Sequence, residues 1–264
     1  MIIASELFRG AAHYYAQHAV PYPEDFFRSL VRVCGLSNSS RALDLGAGTG
    51  QIGIPLARSV AEVLSVDAND EMVQEGRRTA EALGVKNIEF LVSRSEDLNE
   101  PMSPFDIVTI ADCFLWMDRE TVLAKLAKML KLEGGVAIIE RVKDSSEPGE
   151  WRTAMYSDMK EFWGGSFPAG PGGVRPLWTI SNHREVLRAS HFSEITELRH
   201  YYEHHWNLDD LLGFVYSTSM GAPGTLGPRR SEFAARIRRL LLSYSPSGFF
   251  VERGYITTFL GYRP

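Results

Sequence analysis

Cysteine is scarce. The 264 residues contain two, Cys34 and Cys113, which make neither a disulfide framework nor a metal-ligand spacing and fit a reducing compartment. Basic residues are outnumbered, 28 Lys and Arg against 33 Asp and Glu, for a formal net charge of -5. That balance argues against a nucleic-acid surface, which needs a basic face. No apolar run approaches the roughly 18 residues that suggest a membrane span. Met1 to Gly10 lacks a charged segment followed by an apolar one, so no signal peptide is expected. A soluble, cytoplasmic protein follows, monomer or homodimer, with neither nucleic acid nor membrane as partner. What is present is core material: 44% of the chain is hydrophobic, enough for one large domain with insertions.

Periodicity divides that material into elements. Glu24 to Cys34 carries Phe26, Phe27, Leu30, Val31 and Cys34 at helical spacing, and Gly35 with Ser37 to Ser40 stops it. Arg41 to Leu45 is a short apolar strand, followed by a helix over Gln51 to Val60. A second strand, Val63 to Val66, ends at Asp67. Glu71 to Leu83 is helical and closed by Gly84, and Ile88 to Val92 is a third strand. Asp106 to Ala111 is apolar almost throughout, as expected of a strand covered on both faces. Glu120 to Leu132 places Leu123, Leu126, Ala127 and Leu130 on one helical face, and Gly134-Gly135 turns the chain into a fifth strand, Val136 to Glu140.

This alternation is the signature of a doubly wound parallel sheet. After Arg141 it breaks. Lys143 to Pro176 reads as a partly helical insertion with long loops. Arg184 to Ser190 is a helix, Glu194 to His204 a sixth strand, Asn207 to Tyr244 a second helical insertion and Tyr255 to Tyr262 a last strand. The expected fold is α/β: a Rossmann-like, doubly wound seven-stranded sheet with helical lid insertions. It is read as one domain over residues 1–264. N-terminal helices occupy 1–40, a cofactor-binding core 41–142 and insertions 143–180 and 207–248, while 181–206 and 249–264 complete the sheet.

The chemistry lies in Ala42-Leu43-Asp44-Leu45-Gly46-Ala47-Gly48-Thr49-Gly50, a strand running into a glycine loop. Glycines are needed where backbone turns tightly off a strand and approaches a ligand closely. Asp67, 21 positions after Gly46, ends the next strand, where a carboxylate can accept from both ribose hydroxyls. Gly48-Thr49-Gly50-Gln51-Ile52-Gly53 also matches the G-x-G-x-x-G dinucleotide pattern, a weak signal alone. Charge separates the two frames. A dinucleotide brings an anionic pyrophosphate to this loop, which Asp44 repels. S-adenosyl-L-methionine has no phosphate and presents an ammonium and a sulfonium, which an acidic strand end favours.

Ala42 to Leu56 resembles the first motif of class I S-adenosylmethionine-dependent methyltransferases, in the group called type 11. Phe105-Asp106-Ile107-Val108 resembles the start of that family's fourth strand, and Leu130 to Gly135 the turn before its fifth. Ala12 to Ala16 with Pro21-Tyr22-Pro23 looks like its N-terminal segment, without the usual arginine. Trp206 to Phe214 is similar to a segment of small-molecule members related to trans-aconitate methyltransferase. The resemblance implies that Asp44, Gly46, Ala47 and Gly48 hold the methionine end of the cofactor, and Asp67 and Ala68 its ribose. Met72 packs on the adenine or belongs to the helix core. Ser95 and Glu96 meet the adenine edge. An aspartate often precedes that segment, where Arg94 stands here; arginine can stack on adenine but cannot accept from its amino group, which leaves Glu96. Tyr15 lies near the cofactor, and Asp112 faces its methionine part and the acceptor or is a helix-cap or turn residue.

Methyl transfer from a sulfonium is an in-line displacement from an activated donor, so positioning can supply much of the catalysis. A base is required only for an acceptor that is protonated at working pH. No catalytic residue is assigned and no metal ligand set is found; His18, His204 and His205 are possible bases or structural histidines. Ligands of this architecture bind at the carboxyl ends of the parallel strands, where the insertions depart. The insertions are therefore expected to form a lid. Its aromatics, Tyr156, Phe162, Trp163, Phe167, Trp178, Phe214 and Tyr216, line an acceptor pocket or form the lid's own core. Trp116 lines the acceptor site or packs in the core. Arg229, Arg230, Arg236, Arg238 and Arg239 mark either a solvated amphipathic helix or a surface for an anionic acceptor or partner. No Asn/Asp-Pro-Pro-Tyr or Pro-Cys motif for nucleobase methylation is found. The expected acceptor is a small molecule, apolar or aromatic, methylated on O or N. RNA or protein methylation and a nicotinamide-binding oxidoreductase are the alternatives.

Overall fold

The computed structural model describes residues 4–99, 104–144, 150–165, 167–168, 174–175 and 182–264. In chain order the helices and strands begin with α1 (Ala12–His18), α2 (Glu24–Val33), β1 (Arg41–Leu45), α3 (Gly53–Leu56), β2 (Glu62–Asp67) and α4 (Asp70–Ala82). Next come β3 (Ile88–Val92), β4 (Phe105–Ala111), α5 (Arg119–Met129), β5 (Leu130–Lys143) and α6 (Glu150–Phe162). The short strands β6 (Phe167–Pro168) and β7 (Val174–Arg175) pair antiparallel with each other. The chain closes with α7 (His183–Arg188), β8 (Glu194–Asn207), α8 (Leu208–Ser217), α9 (Pro223–Leu226), α10 (Arg230–Tyr244) and β9 (Phe249–Tyr262).

Seven strands form one sheet in the order β3-β2-β1-β4-β5-β9-β8. The pairs from β3 to β5 are all parallel, and the strand order reverses at β1, between β2 and β4. In open α/β sheets the ligand crevice lies outside the carboxyl ends of the strands at such a switch point.

The chain divides into two compact units: a sheet unit of Pro21–Val142, Ile180–His200 and Tyr255–Pro264, and a helical unit of Met1–Val20, Lys143–Thr179 and Tyr201–Gly254. In the sheet unit, β1 and β4 bury Leu43, Leu45, Val108 and Ile110, with Val136 and Ile138 of β5 beside them. Full burial of each such side chain contributes about 1.5–3 kcal/mol. Helix α5 covers one side with Val122, Leu123, Leu126 and Met129. Its start is fixed by Asp118, whose side chain accepts from the Thr121 N–H, the usual satisfaction of an orphan helix donor. Asn69 caps α4 in the same way through the Met72 N–H. That helix buries Val73 and Ala80 against Ile54 and Phe90, and Gly76 sits directly on the Phe90 ring.

In the helical unit, α1 packs on α8, and α10 packs on α6 and α8. Trp206, Phe233, Ile237 and Leu241 are buried there. Glu252 is buried as well, and its carboxylate accepts from Arg152, from the Tyr202 hydroxyl at 2.8 Å and from the Trp206 indole at 3.1 Å.

Two elements differ from the sequence reading. The helix expected over Gln51 to Val60 is the single turn α3, because Pro55 inside it has no N–H to donate and Arg58 and Ser59 close in tighter turns. Gly134-Gly135 does not turn a helix into a strand. Helix α5 stops at Met129, and β5 starts at Leu130 with a register shift against β4 between Phe105 and Ile107. These glycines serve close packing: a Cβ on Gly135 would meet the Tyr262 ring at 2.7 Å, and one on Gly134 would meet Leu130 at 2.9 Å.

Candidate functional site

The glycine loop connects β1 to α3. Gly46, Gly48 and Gly50 have φ of 64°, 54° and 86°, a region that side chains disfavour. The loop is tied down by carboxylates beneath it. The Asp44 side chain, 1% exposed, accepts from the Gly53 N–H at 3.0 Å and from the Thr109 hydroxyl at 2.7 Å. Burial pushes its carboxyl up to about 7, the two hydrogen bonds oppose the rise and the Asp67 charge adds to it. Asp67, at the end of β2, accepts from the Gly48 N–H at 2.8 Å and from the Asn69 N–H at 2.8 Å. Its pKa is raised by burial, against the bonds from Asn69 and Gly48. The Ser93 N–H donates to the Asp67 carbonyl at 3.0 Å and brings the exit of β3 beside that of β2.

These bonds weigh against the dinucleotide frame. A pyrophosphate needs free loop and helix N–H groups. Here Gly48 donates to Asp67 and Gly53 to Asp44, while Ala47 and Gly50 donate to the Val66 and Ala47 carbonyls. The helix that follows is one turn long. Two carboxylates and three open-backbone glycines suit a phosphate-free cation with a ribose, so the residues present fit S-adenosyl-L-methionine. A carboxylate oxygen that accepts one backbone N–H retains a lone pair for a ribose hydroxyl.

The remaining expected residues lie as follows. Ala68 is exposed just past β2, and Met72 is buried on the first turn of α4. Ser95 is buried at the start of the short 3-10 helix Ser95–Asp97. Glu96 accepts from the Asp118 N–H at 2.9 Å and lies 3.5 Å from Arg94. Asp112 follows β4 with φ 55°. These residues share the exits of β1 to β4 in the sheet unit. Tyr15 lies on α1, in the helical unit.

Sequence reasoning missed four participants. Thr109 is the hydroxyl under Asp44. Cys113 places Sγ beneath the loop, 2.3 Å from where a Gly46 Cβ would stand, and donates to the Leu45 carbonyl at 3.2 Å. Its thiol is raised well above the usual range by burial and by the charges of Asp67, Asp44 and Asp112. Tyr22 and Arg141 both bond Asp112. Cys113 alone carried a signal in the sequence, since it follows Asp112 directly.

Within the helical unit, the insertion aromatics engage one another. Phe162 meets Phe233 edge-on at 4.9 Å under the Arg229 guanidinium, the Trp163 indole donates to the Met220 carbonyl at 3.0 Å, and Tyr216 packs on Tyr14 at 5.2 Å. Phe214 packs on Trp206 at 5.1 Å, and Arg152 lies over Tyr156. Trp178 and the side chain of Phe167 lie outside the described residues. Trp116 is half-buried in the 3-10 helix Phe114–Trp116 of the sheet unit. On α10, Arg236 makes ion pairs with Asp158 and Glu161 and Arg238 with Asp209, and Arg229 just before the helix pairs with Glu232. That is a solvated amphipathic helix. His18 holds Asp210 at 3.3 Å through Nδ1, and its Nε2 packs on Gly213. His204 stacks edge-on against Trp206 at 4.2 Å, and His205 is exposed beside Glu203. Among the described residues no group of His, Cys, Asp and Glu could hold a metal ion, and no helix is long and apolar enough to cross a membrane.

Comparison with known proteins gives the same frame. Residues 42–134 match the family described as a methyltransferase domain. The chain is 28% identical over 141 residues to the ubiquinone/menaquinone biosynthesis C-methyltransferase UbiE of Psychromonas ingrahamii, covering 52% of each chain. It is 32% identical over 124 residues to UbiE of Azotobacter vinelandii, covering 45% of this chain and 49% of that one. The chain thus spans about half the length of these curated relatives. The crystal structure of YcgJ from Bacillus subtilis shares the fold with a TM-score of 0.56 at 17% identity, over 92% of this chain and 100% of that one. With the glycine loop, its two carboxylates and the strand order, residues 42–134 carry the methyltransferase domain, and over this stretch the chain is similar to class I S-adenosylmethionine-dependent methyltransferases.

Proposed function

We propose that this protein transfers a methyl group from S-adenosyl-L-methionine to a small-molecule acceptor with an apolar or aromatic body. The observation that carries the reading is the loop of three positive-φ glycines clamped to Asp67 at the switch point of the sheet. In this reading Gly46, Ala47 and Gly48 bring backbone up to the methionine end. Asp44 keeps the loop in shape from below and lends it negative potential. Asp67 takes the ribose hydroxyls with the lone pairs its backbone bonds leave. Ala68 and Met72 border the ribose and adenine, and Ser95 and Glu96 stand at the adenine edge.

The cofactor supplies a methyl group already activated by its sulfonium. The chain's own work is positioning, with proton removal added only for a protonated acceptor. Titratable groups stand at the carboxyl ends of β4 and β5: Asp112, Glu140, and His183 at 3.6 Å from Glu140. Burial and the Arg119 charge push His183 down to about 4, which keeps its ring neutral at working pH.

We favour O or N as the methylated atom. The relatives named as C-methyltransferases over half the chain support carbon as the second reading. A screen of phenols, amines and quinol-type acceptors with isotope-labelled S-adenosylmethionine, read by fragment mass, tests both. A label on oxygen or nitrogen of a small molecule is expected. A label on ring carbon favours the second reading, and turnover only on RNA or protein overturns both.

A further inference from the structure

Asp112 is the one non-glycine residue with positive φ among the described residues. Such a conformation persists where the surroundings over-determine it. Here Asp112 Oδ1 accepts from the Arg141 N–H at 3.0 Å, and Oδ2 accepts from Arg141 Nη1 at 2.6 Å and from the Tyr22 hydroxyl at 3.0 Å. Arg141 Nη1 also donates to the Tyr22 oxygen at 3.1 Å, and the guanidinium lies 3.9 Å above the Tyr22 ring. Both carboxylate oxygens of Asp112 therefore accept protein hydrogen bonds, Oδ2 two of them, and these bonds hold the turn it occupies. The next residue, Cys113, packs under Gly46 and bonds the Leu45 carbonyl.

We propose that Arg141 and Tyr22 are positioning residues for the cofactor: with Asp112 they latch the exit of β4 in its left-handed turn, so that Cys113 props the glycine loop in its binding shape. The proposal rests on the cofactor reading above. It makes Asp112 a hinge pin of the loop, and it couples the entry segment of α2 to the loop inside the sheet unit.

The test combines calorimetry with S-adenosylhomocysteine and alkylation of Cys113, mapped by peptide mass so that Cys34 is counted separately. Loss of a charged hydrogen bond predicts that Arg141→Gln weakens S-adenosylhomocysteine roughly tenfold and speeds Cys113 labelling by a similar factor, with Arg141→Lys recovering part of both. Asp112→Asn added to Arg141→Gln should weaken binding little further, because one latch breaks once. If Arg141→Gln lowers the melting temperature but leaves both readouts near the wild-type values in the folded protein, the contact is purely structural and the proposal falls. A wild-type protein that fails to bind S-adenosylhomocysteine overturns the cofactor reading instead.

Discussion

Replacing Gly46 by alanine perturbs the loop at its tightest point. Its φ of 64° is one that an L residue adopts at a cost of roughly 1–2 kcal/mol. A Cβ there would stand 2.3 Å from Cys113 Sγ and 3.0 Å from Cys113 Cβ. Neither atom is the end of a long flexible side chain, so loop and β4 exit must separate. Overpacking of this kind costs about 1–3 kcal/mol. The two terms give about 2–5 kcal/mol for Gly46→Ala, divided between stability and cofactor affinity. Urea unfolding followed by circular dichroism reads the first share, and titration with S-adenosylhomocysteine the second, expected as a loss of at least roughly tenfold. Adding Cys113→Ala removes the sulfur and should restore about 1–2 kcal/mol, leaving the backbone cost. Unchanged midpoint and affinity in Gly46→Ala, or no recovery in the double variant, would refute the packing argument.

Three further outcomes are expected. Asp67→Ala removes the acceptor for two backbone N–H groups and the proposed acceptor for the ribose, and should weaken S-adenosylhomocysteine roughly 10- to 100-fold; equal affinity removes the ribose assignment. Asp44 titrates near 3.8 when unfolded and is raised to about 7 in the fold, so the native state holds the extra proton between those values. Its contribution is fully present below about pH 4 and is lost as pH rises through about 7. Urea titrations across this window should therefore show wild type losing stability relative to Asp44→Asn, and parallel profiles would contradict the assignment. In the helical unit, Glu252→Ala leaves the Arg152 guanidinium without its carboxylate; about 3–5 kcal/mol of destabilisation is expected, read as a lower melting temperature, and a neutral result would place that pair outside the stabilising core.

The strands β1 to β4 were legible because they are short, apolar and separated by helical segments. Arg41–Leu45 and Ile88–Val92 run as read, and the last two strands are longer than read but in the expected place. Periodicity failed where a residue acts through a contact distant in sequence. Gly134-Gly135 looks like a turn signal, yet Gly135 is small because Tyr262 packs on it. Gln51 to Val60 has helical composition, but Pro55 and the turns after it leave one turn. In the site, Gly46 to Gly50 with Asp44 and Asp67 could be read from spacing, since backbone geometry and strand ends impose a local pattern. Tyr22, Thr109 and Arg141 could not. Thr109 acts across the sheet on Asp44 of β1. Tyr22 and Arg141 meet at Asp112 from segments distant in sequence, and no local pattern encodes such meetings. Arg236 and Arg238 likewise found their acids on other helices.

In the proposed reading the loop from Gly46 to Gly50 takes a phosphate-free sulfonium cofactor. Isothermal titration of the purified chain with S-adenosylhomocysteine and, separately, with NADH tests it most directly. Saturable binding of S-adenosylhomocysteine with none of NADH is the predicted result. Binding of NADH with none of S-adenosylhomocysteine would contradict it.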